Sequence, residues 1–293
     1  MRSGLQLLVN GFASGCATAL LAVAFQLVYL PTGVFFVAIA AIYAVAPFLL
    51  MSAVSRGIPV WLGIAFSVTS CAVLALLTEW ASHGRLSKLG ASSTVHLVAS
   101  LGNYILLVQL IAIVWGNNPF TIRAGLDTTA HMGTVVVTGT QLTMIVVALI
   151  VLGGMFLLLL RSNIGLRLRA LAENPMQFAL HGFNANSYRL IAFGLSGSLA
   201  AAASLVTAND VGFNANSGLS PFLVAVVAVI TAGRRSLIAP VVGALMLGIL
   251  RAQVAWVWSS RWQDAVTFGL LVVVLLIWPE GILAGKSRVE AST

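Results

Sequence analysis

Charge is what this sequence has least of. Asp, Glu, Lys and Arg make up 8% of its 293 residues, while 60% are hydrophobic and the mean hydropathy is +1.04. A soluble domain carries roughly 25% charged residues. This chain cannot clothe itself in a hydrated surface, and it reads as an integral membrane protein. Acids are the scarcest charges. Glu79, Asp127, Glu173, Asp210, Asp264, Glu280 and Glu290 all fall at helix ends or in loops. Transport driven by protons or sodium usually needs ionisable groups deep in the bilayer, where each costs at least about 2.5–3.5 kcal/mol. The absence of acids from the middle of the apolar runs argues that any energy source lies on another subunit. Cysteine is nearly lacking too. Cys16 and Cys71 sit in apolar runs with no Cys-x-x-Cys partner, so they read as packing residues rather than a disulfide or metal site. His83, His96, His131 and His181 are scattered, with no zinc-ligand spacing. Gly281 to Ser287 resembles a phosphate-binding loop, but three residues separate its glycines where that motif needs four.

What is present is a series of apolar runs near the ~20 residues that cross a bilayer as a helix. They lie at about 5–29, 34–54, 59–80, 95–115, 141–160, 188–208, 222–232, 237–256 and 265–278. The fold class is therefore all-α, a polytopic membrane protein with about eight or nine transmembrane helices. The run 222–232 is short. At ~1.5 Å per residue it reaches about half-way across a ~30 Å core. It is either a half-helix or part of a helix extended by its neighbours. Ser220-Pro221 reads as its N-cap and first helical position. The first run extends to Leu30, longer than the roughly 7–15 apolar residues of a signal peptide, and reads as a membrane helix. It carries Gly11-x-x-x-Gly15, a spacing that admits a close neighbour helix. Residues 81–94 read as a polar loop. The loop 116–140 has Thr and Val content that allows short strands or an interfacial segment.

Residues 161–189 form the longest polar interruption of the second half, with Arg161, Arg167, Arg169 and Arg189 against one acid, Glu173. Cytoplasmic loops retain Lys and Arg. Placing this loop inside puts ten of the fifteen Lys and Arg residues inside, with the N-terminus outside and the C-terminus inside if 222–232 spans. Gly165 to Glu173 can form a short helix, stopped at Asn174-Pro175 because the residue before proline avoids the α region. It would present Leu166, Ala170 and Glu173 on one face, with Leu168, Leu171 and Ala172 around it. Such a helix suits docking into a partner's groove. One hexapeptide, Gly-Phe-Asn-Ala-Asn-Ser, occurs at 182–187 and again at 212–217. An inverted repeat could place related loops so, but Gly, Asn and Ser are loop residues and the match reads as accidental. Among the neutral polar residues inside apolar runs, Asn10, Gln26, Asn103 and Gln109 are candidates for a substrate path. Each could instead hydrogen-bond a neighbouring helix, worth about 0.6–2 kcal/mol.

At Arg169-Ala170-Leu171-Ala172-Glu173-Asn174, then Ala179, Gly182-Phe183-Asn184, Ala192-Phe193 and Ala200-Ala201, the sequence resembles the cytoplasmic coupling segment of branched-chain amino acid ABC transporter permeases. Leu5 to Gly11 is similar to that family's first helix, Tyr104 to Gly116 to its fourth, and Gly243-Ala244-Leu245 through Pro279 to Leu283 to its closing helices. Gly33 to Ala38 departs from it by lacking a histidine and a following glycine, and Ala232 to Ser236 replaces a glycine-rich break.

The resemblance implies a single permease domain over 1–293, of the shorter of two permease types, with a cytoplasmic coupling loop at 161–187. Arg167, Arg169, Glu173, Asn174 and Gly182 would be the ATPase-coupling residues. The expected partners are a second, non-identical permease subunit, two cytoplasmic ATPases that bind the ATP, an extracytoplasmic solute-binding protein and membrane lipid. The chain itself would be no enzyme, hold no cofactor or metal, bind no nucleic acid, and sit as a multi-pass protein in a bacterial or archaeal plasma membrane. The importer would serve branched-chain amino acids or a related small polar solute. An ion-coupled secondary transporter or a passive solute channel is the alternative.

Overall fold

The computed structural model describes residues 2–121, 129–132, 135–233, 236–278 and 281–282, the side chains of 2, 3, 5, 129–132 and 135 excepted. Arg123, Asp127, Arg234, Arg235, Glu280, Glu290, Lys286 and Arg288 lie outside the described residues, as does most of the phosphate-loop-like end. Six helices are long and apolar enough to cross a membrane. They are α1 (Arg2–Thr32), α3 (Val60–Thr78) with its continuation, α5 (Ser93–Trp115), α6 (Gly139–Arg161), α9 (Ala185–Val211) and α11 (Ala239–Val257). Three shorter apolar helices run beside them: α2 (Ile39–Val54), α10 (Leu219–Ala232) and α12 (Trp262–Ile277). The short helices α4 (Gly84–Lys88), α7 (Asn163–Glu173) and α8 (Pro175–Leu180), with the hairpin β1 (Thr129–Met132) and β2 (Val135–Thr138), complete the chain.

The nine apolar helices run alternately between two ends. One end carries the β-hairpin, whose antiparallel register pairs Thr129 with Thr138; the other carries α7 and α8. The chain enters at the hairpin end, and α12 leaves it toward the α7–α8 end. Near the hairpin, α1 and α11 cross backbone to backbone. A Cβ on Gly11 would lie 2.6 Å from Ile249 Cα, and one on Gly248 would lie 2.5 Å from Gly15 Cα. The sequence spacing Gly11-x-x-x-Gly15 is thus a real crossing point.

Of the boundaries that differ from the sequence reading, four bear on how the bundle is built. The second helix starts at Ile39, not Val34: residues 33–38 are non-helical, yet Val34, Phe36, Val37 and Ala38 are buried, with Phe36 fully enclosed between Phe193 and His83. Non-helical backbone at membrane depth is tolerated only where protein covers it and its polar groups are met, and the Ala38 N–H donates to Ser100 Oγ at 3.1 Å. Second, 81–94 is mostly helical. The backbone continues from α3 through a π-helical turn at Glu79–His83 into α4, because its polar side chains find partners within the protein. Third, α9 begins at Ala185, three residues early, since Asn184 caps it. Fourth, α10 starts at Leu219 rather than Pro221. Gly218 lies so close to α2 that a Cβ there would come 1.9 Å from the Ala40 carbonyl oxygen. Pro221 sits in the first turn, where helix N–H groups have no intrahelical partner to lose.

The run 222–232 is therefore the body of a 14-residue helix, about 21 Å long. The segment 212–218 reaches it from the hairpin end by dipping beside α2, with Phe213 4% and Ala215 0% exposed. Phe213 packs on Phe48 with ring centroids 4.8 Å apart, and its backbone pairs with Phe120.

Candidate functional site

The arginine loop folds into two short helices locked onto the bundle. Ser162 caps α7 by accepting the Gly165 N–H at 3.2 Å. Gly165 lies against the end of α6, where any Cβ would strike the Leu159 carbonyl. Arg169 binds that same junction, donating from Nε to Gly165 O at 3.3 Å and from Nη2 to Leu159 O at 3.2 Å. A guanidinium at a helix C-terminus satisfies orphan carbonyls and complements the dipole. Arg167 turns to α9. It donates to the Tyr188 hydroxyl and lies 4.7 Å over the Phe183 ring. Phe178 of α8 closes this cluster, stacked on Phe183 and edge-on to Tyr188. Asn174 stops α7 and caps α8, accepting from Met176 N at 3.1 Å and Gln177 N at 3.0 Å. Gly182 ends α8 at φ +80°.

Of the five coupling residues named from the sequence, four thus hold the segment's shape, and Glu173 stands exposed. Leu166, Ala170 and Glu173 form an exposed face, as the helical spacing implies, whereas Leu168 and Leu171 are buried. Met176 at 75% and Leu180 at 78% exposure extend that face along α8. Sequence reasoning missed these two; their sign was the Pro175 restart, which begins a second amphipathic turn. A cleft of about 730 Å³ opens beside the segment, lined by Arg169, Ala172 and Glu173 together with Leu30, Phe156 and Ile238.

Arg189 does not join that surface. It points back into the bundle and pairs with Glu79 at 2.8 Å, the acid's side chain being 2% exposed. Ser87 accepts a further bond from Arg189 at 3.2 Å. Below, His83 and His96 face each other with ring nitrogens 3.3 Å apart. Glu79 therefore lies inside a continuous helical stretch rather than at a helix end. Being paired, it ties the π-helical turn to α9. Among the described residues, no group of three His, Cys, Asp or Glu could hold a metal ion.

A second cavity, about 240 Å³, lies toward the hairpin end between α1, α2, α6, α9, α10 and α11. Asn10 lines it, with Ser14, Thr18, Gln141 and Thr207, and both an acid, Asp210, and a cation, Arg251, reach it. The other three path candidates lie elsewhere. Gln26 is fully buried and donates to Ser236 O at 3.1 Å. Asn103 donates to Ser82 Oγ at 2.7 Å, and Gln109 is exposed on the flank of α5.

A family model described as branched-chain amino acid transport system, permease component, matches residues 7–275. The permease protein BraD of the high-affinity branched-chain amino acid transport system of Pseudomonas aeruginosa is 28% identical, over 98% of this chain and 97% of BraD. The corresponding LivH of Escherichia coli is 24% identical, again over 98% and 97%. A chain of PsaBC from Streptococcus pneumoniae, solved in complex with Fab, aligns at a TM-score of 0.51 over 92% of this chain and 91% of its own, with 14% identity, which shows a shared fold. Matched along nearly its whole length, this polytopic chain belongs to the permease-component family of branched-chain amino acid transport systems.

Proposed function

We propose that this chain is the membrane-spanning permease subunit of an ATP-driven importer of branched-chain amino acids or close analogues. It works beside a second, non-identical permease, two ATPases and a solute-binding protein. The α7–α8 end faces the cytoplasm and the hairpin end faces outward, consistent with the charge bias of the loops. One observation carries the coupling role. The α7–α8 pair is fastened to the bundle by Arg167 and Arg169, with Asn174 capping α8, while it exposes Leu166, Glu173, Met176 and Leu180. A segment rigid toward its own chain and apolar toward solvent transmits a push from a docked protein. Its bonds to α6 and α9 pass that push to helices lining the 240 Å³ cavity. The other exposed apolar helix faces suit lipid and the second permease.

The test is the double variant Leu166→Asp, Met176→Asp in the reconstituted importer. Both side chains are exposed, so the protein inserts and melts as the parent does. ATP-dependent uptake falls at least ten-fold while the ATPases still hydrolyse ATP. Undiminished uptake would sink the coupling role.

A further inference from the structure

The cavity at the hairpin end has a lining that amino-acid carriage by itself does not specify. Asp210 is exposed near the end of α9 and, among the described residues, is paired with no cation. Arg251 enters from α11. Its Nη1 donates to Asp264 Oδ1 at 2.8 Å and to Thr267 Oγ1 at 3.0 Å. Those bonds hold the guanidinium in place and leave its Nε and Nη2 without a partner among the described residues.

Asn10 is fixed by an amide network whose direction is determined. Gln6 Oε1 accepts the Val136 N–H at 2.9 Å, and its Nε2 donates to Val136 O at 2.8 Å and to Asn10 Oδ1 at 3.0 Å. Gln141 Nε2 donates to the same Oδ1 at 3.1 Å. The Asn10 oxygen is thus doubly engaged, and its amide N–H groups are what remains for a solute. Ala17, Leu21, Met144 and Val224 supply apolar wall. At about 240 Å³, the space is below the roughly 300–1,000 Å³ that holds a drug-sized ligand, and it suits a smaller one.

The geometry points to a transient site for one α-amino acid zwitterion in this cavity. Asp210 receives the ammonium, Arg251 and Asn10 receive the carboxylate, and the apolar wall takes an aliphatic side chain. Opposite charges on one solute match opposite charges on the lining. A solute without an ammonium leaves Asp210 with no cation partner, and one without a carboxylate leaves the Arg251 Nε and Nη2 and the Asn10 amide with no acceptor, Asp264 already balancing the Arg251 charge. The site rests on the permease reading and adds to it a recognition step inside the membrane subunit.

The experiment uses Ser14→Cys in the full importer complex in nanodiscs. Ser14 lines the cavity and is exposed, whereas the native Cys16 and Cys71 are buried. A membrane-impermeant thiol reagent then reports on the cavity. Millimolar L-leucine slows labelling at least five-fold. Leucinol, which lacks the carboxylate, and 4-methylpentanoate, which lacks the ammonium, do not. Adding Asp210→Asn abolishes the protection and Asp210→Glu restores it. Equal labelling with and without L-leucine, or equal protection by all three compounds, overturns the site. Should Asp210→Asn disturb folding, seen as a changed labelling rate without solute, the analogue series on the unaltered acid still decides. ATP-dependent leucine uptake by the parent complex is measured alongside. Uptake without protection overturns this site alone; protection without uptake overturns the permease reading.

Discussion

The hexapeptide Gly-Phe-Asn-Ala-Asn-Ser is built twice, at 182–187 and 212–217, with the same local geometry and opposite surroundings. In each copy the glycine ends a helix in the left-handed region, at φ +80° for Gly182 and +79° for Gly212. Each asparagine then turns its side chain onto the backbone two residues on: Asn184 Oδ1 accepts from Asn186 N at 3.0 Å, and Asn214 Oδ1 from Asn216 N at 2.9 Å. The repeat is a helix stop followed by an Asx turn, which suits any link between two helices. The context differs. Phe183 is 37% exposed beneath Arg167, while Phe213 is 4% exposed against Phe48. One copy shapes the exposed surface beside α7 and α8; the other carries the chain into the bundle to begin α10. Local sequence sets the turn, and the partners across space decide what the turn is for.

That comparison can be broken most sharply at the phenylalanines. Phe213→Ala leaves a cavity among buried rings and costs about 3–5 kcal/mol, while Phe183→Ala costs about 1 kcal/mol and acts on uptake. Thermal unfolding of the purified variants reads both, and equal losses would erase the distinction. The glycines come next. Gly182→Ala meets open space and carries only the left-handed strain, about 1–2 kcal/mol. Gly212→Ala adds a contact of 2.9 Å with the Phe120 carbonyl and melts lower still. A smaller effect should be common to the two copies. Asn184→Ala and Asn214→Ala each cost about 1 kcal/mol, and a large inequality would show that the shared turn is not what stabilises them. Least of all, Arg167→Lys keeps the charge but loses the planar stack over Phe183, worth about 0.5–1 kcal/mol. It has no counterpart at the second copy, so uptake rather than melting should register it.

Much of the fold was legible because apolar runs with polar ends mark membrane helices. The sequence bounds of α5 and α6 lie within two residues of those observed, and the stop at Asn174-Pro175 is where α7 ends. The break at 33–38 was not legible. Val34-Phe35-Phe36-Val37-Ala38 is as apolar as a helix, because a break buried in protein needs no polar residue to mark it. The reverse error arose at 81–94, where polar residues signalled a loop. Arg85 lies over the Trp80 ring, Ser87 accepts from Arg189 and His83 meets His96, so the segment stays helical. Of the cavity, only Asn10 was foreseen. Asp210 was read only as an acid at a helix end and Arg251 was not singled out, since their meeting in one cavity depends on how α9 and α11 pack around α1.

The glycine crossing of α1 and α11 has a mechanical consequence. It sits near one end of a 31-residue helix, with Asn10 beside it and Leu30, at the rim of the 730 Å³ cleft, far along the same rod. At ~1.5 Å per residue, Leu30 is roughly 26 Å from the crossing. A tilt of about 10° about that fulcrum swings the cleft end by roughly 4–5 Å, while Asn10 scarcely moves. The unequal arms of this lever turn a small tilt of α1 into a wide swing at the α7–α8 end and almost none beside Asn10.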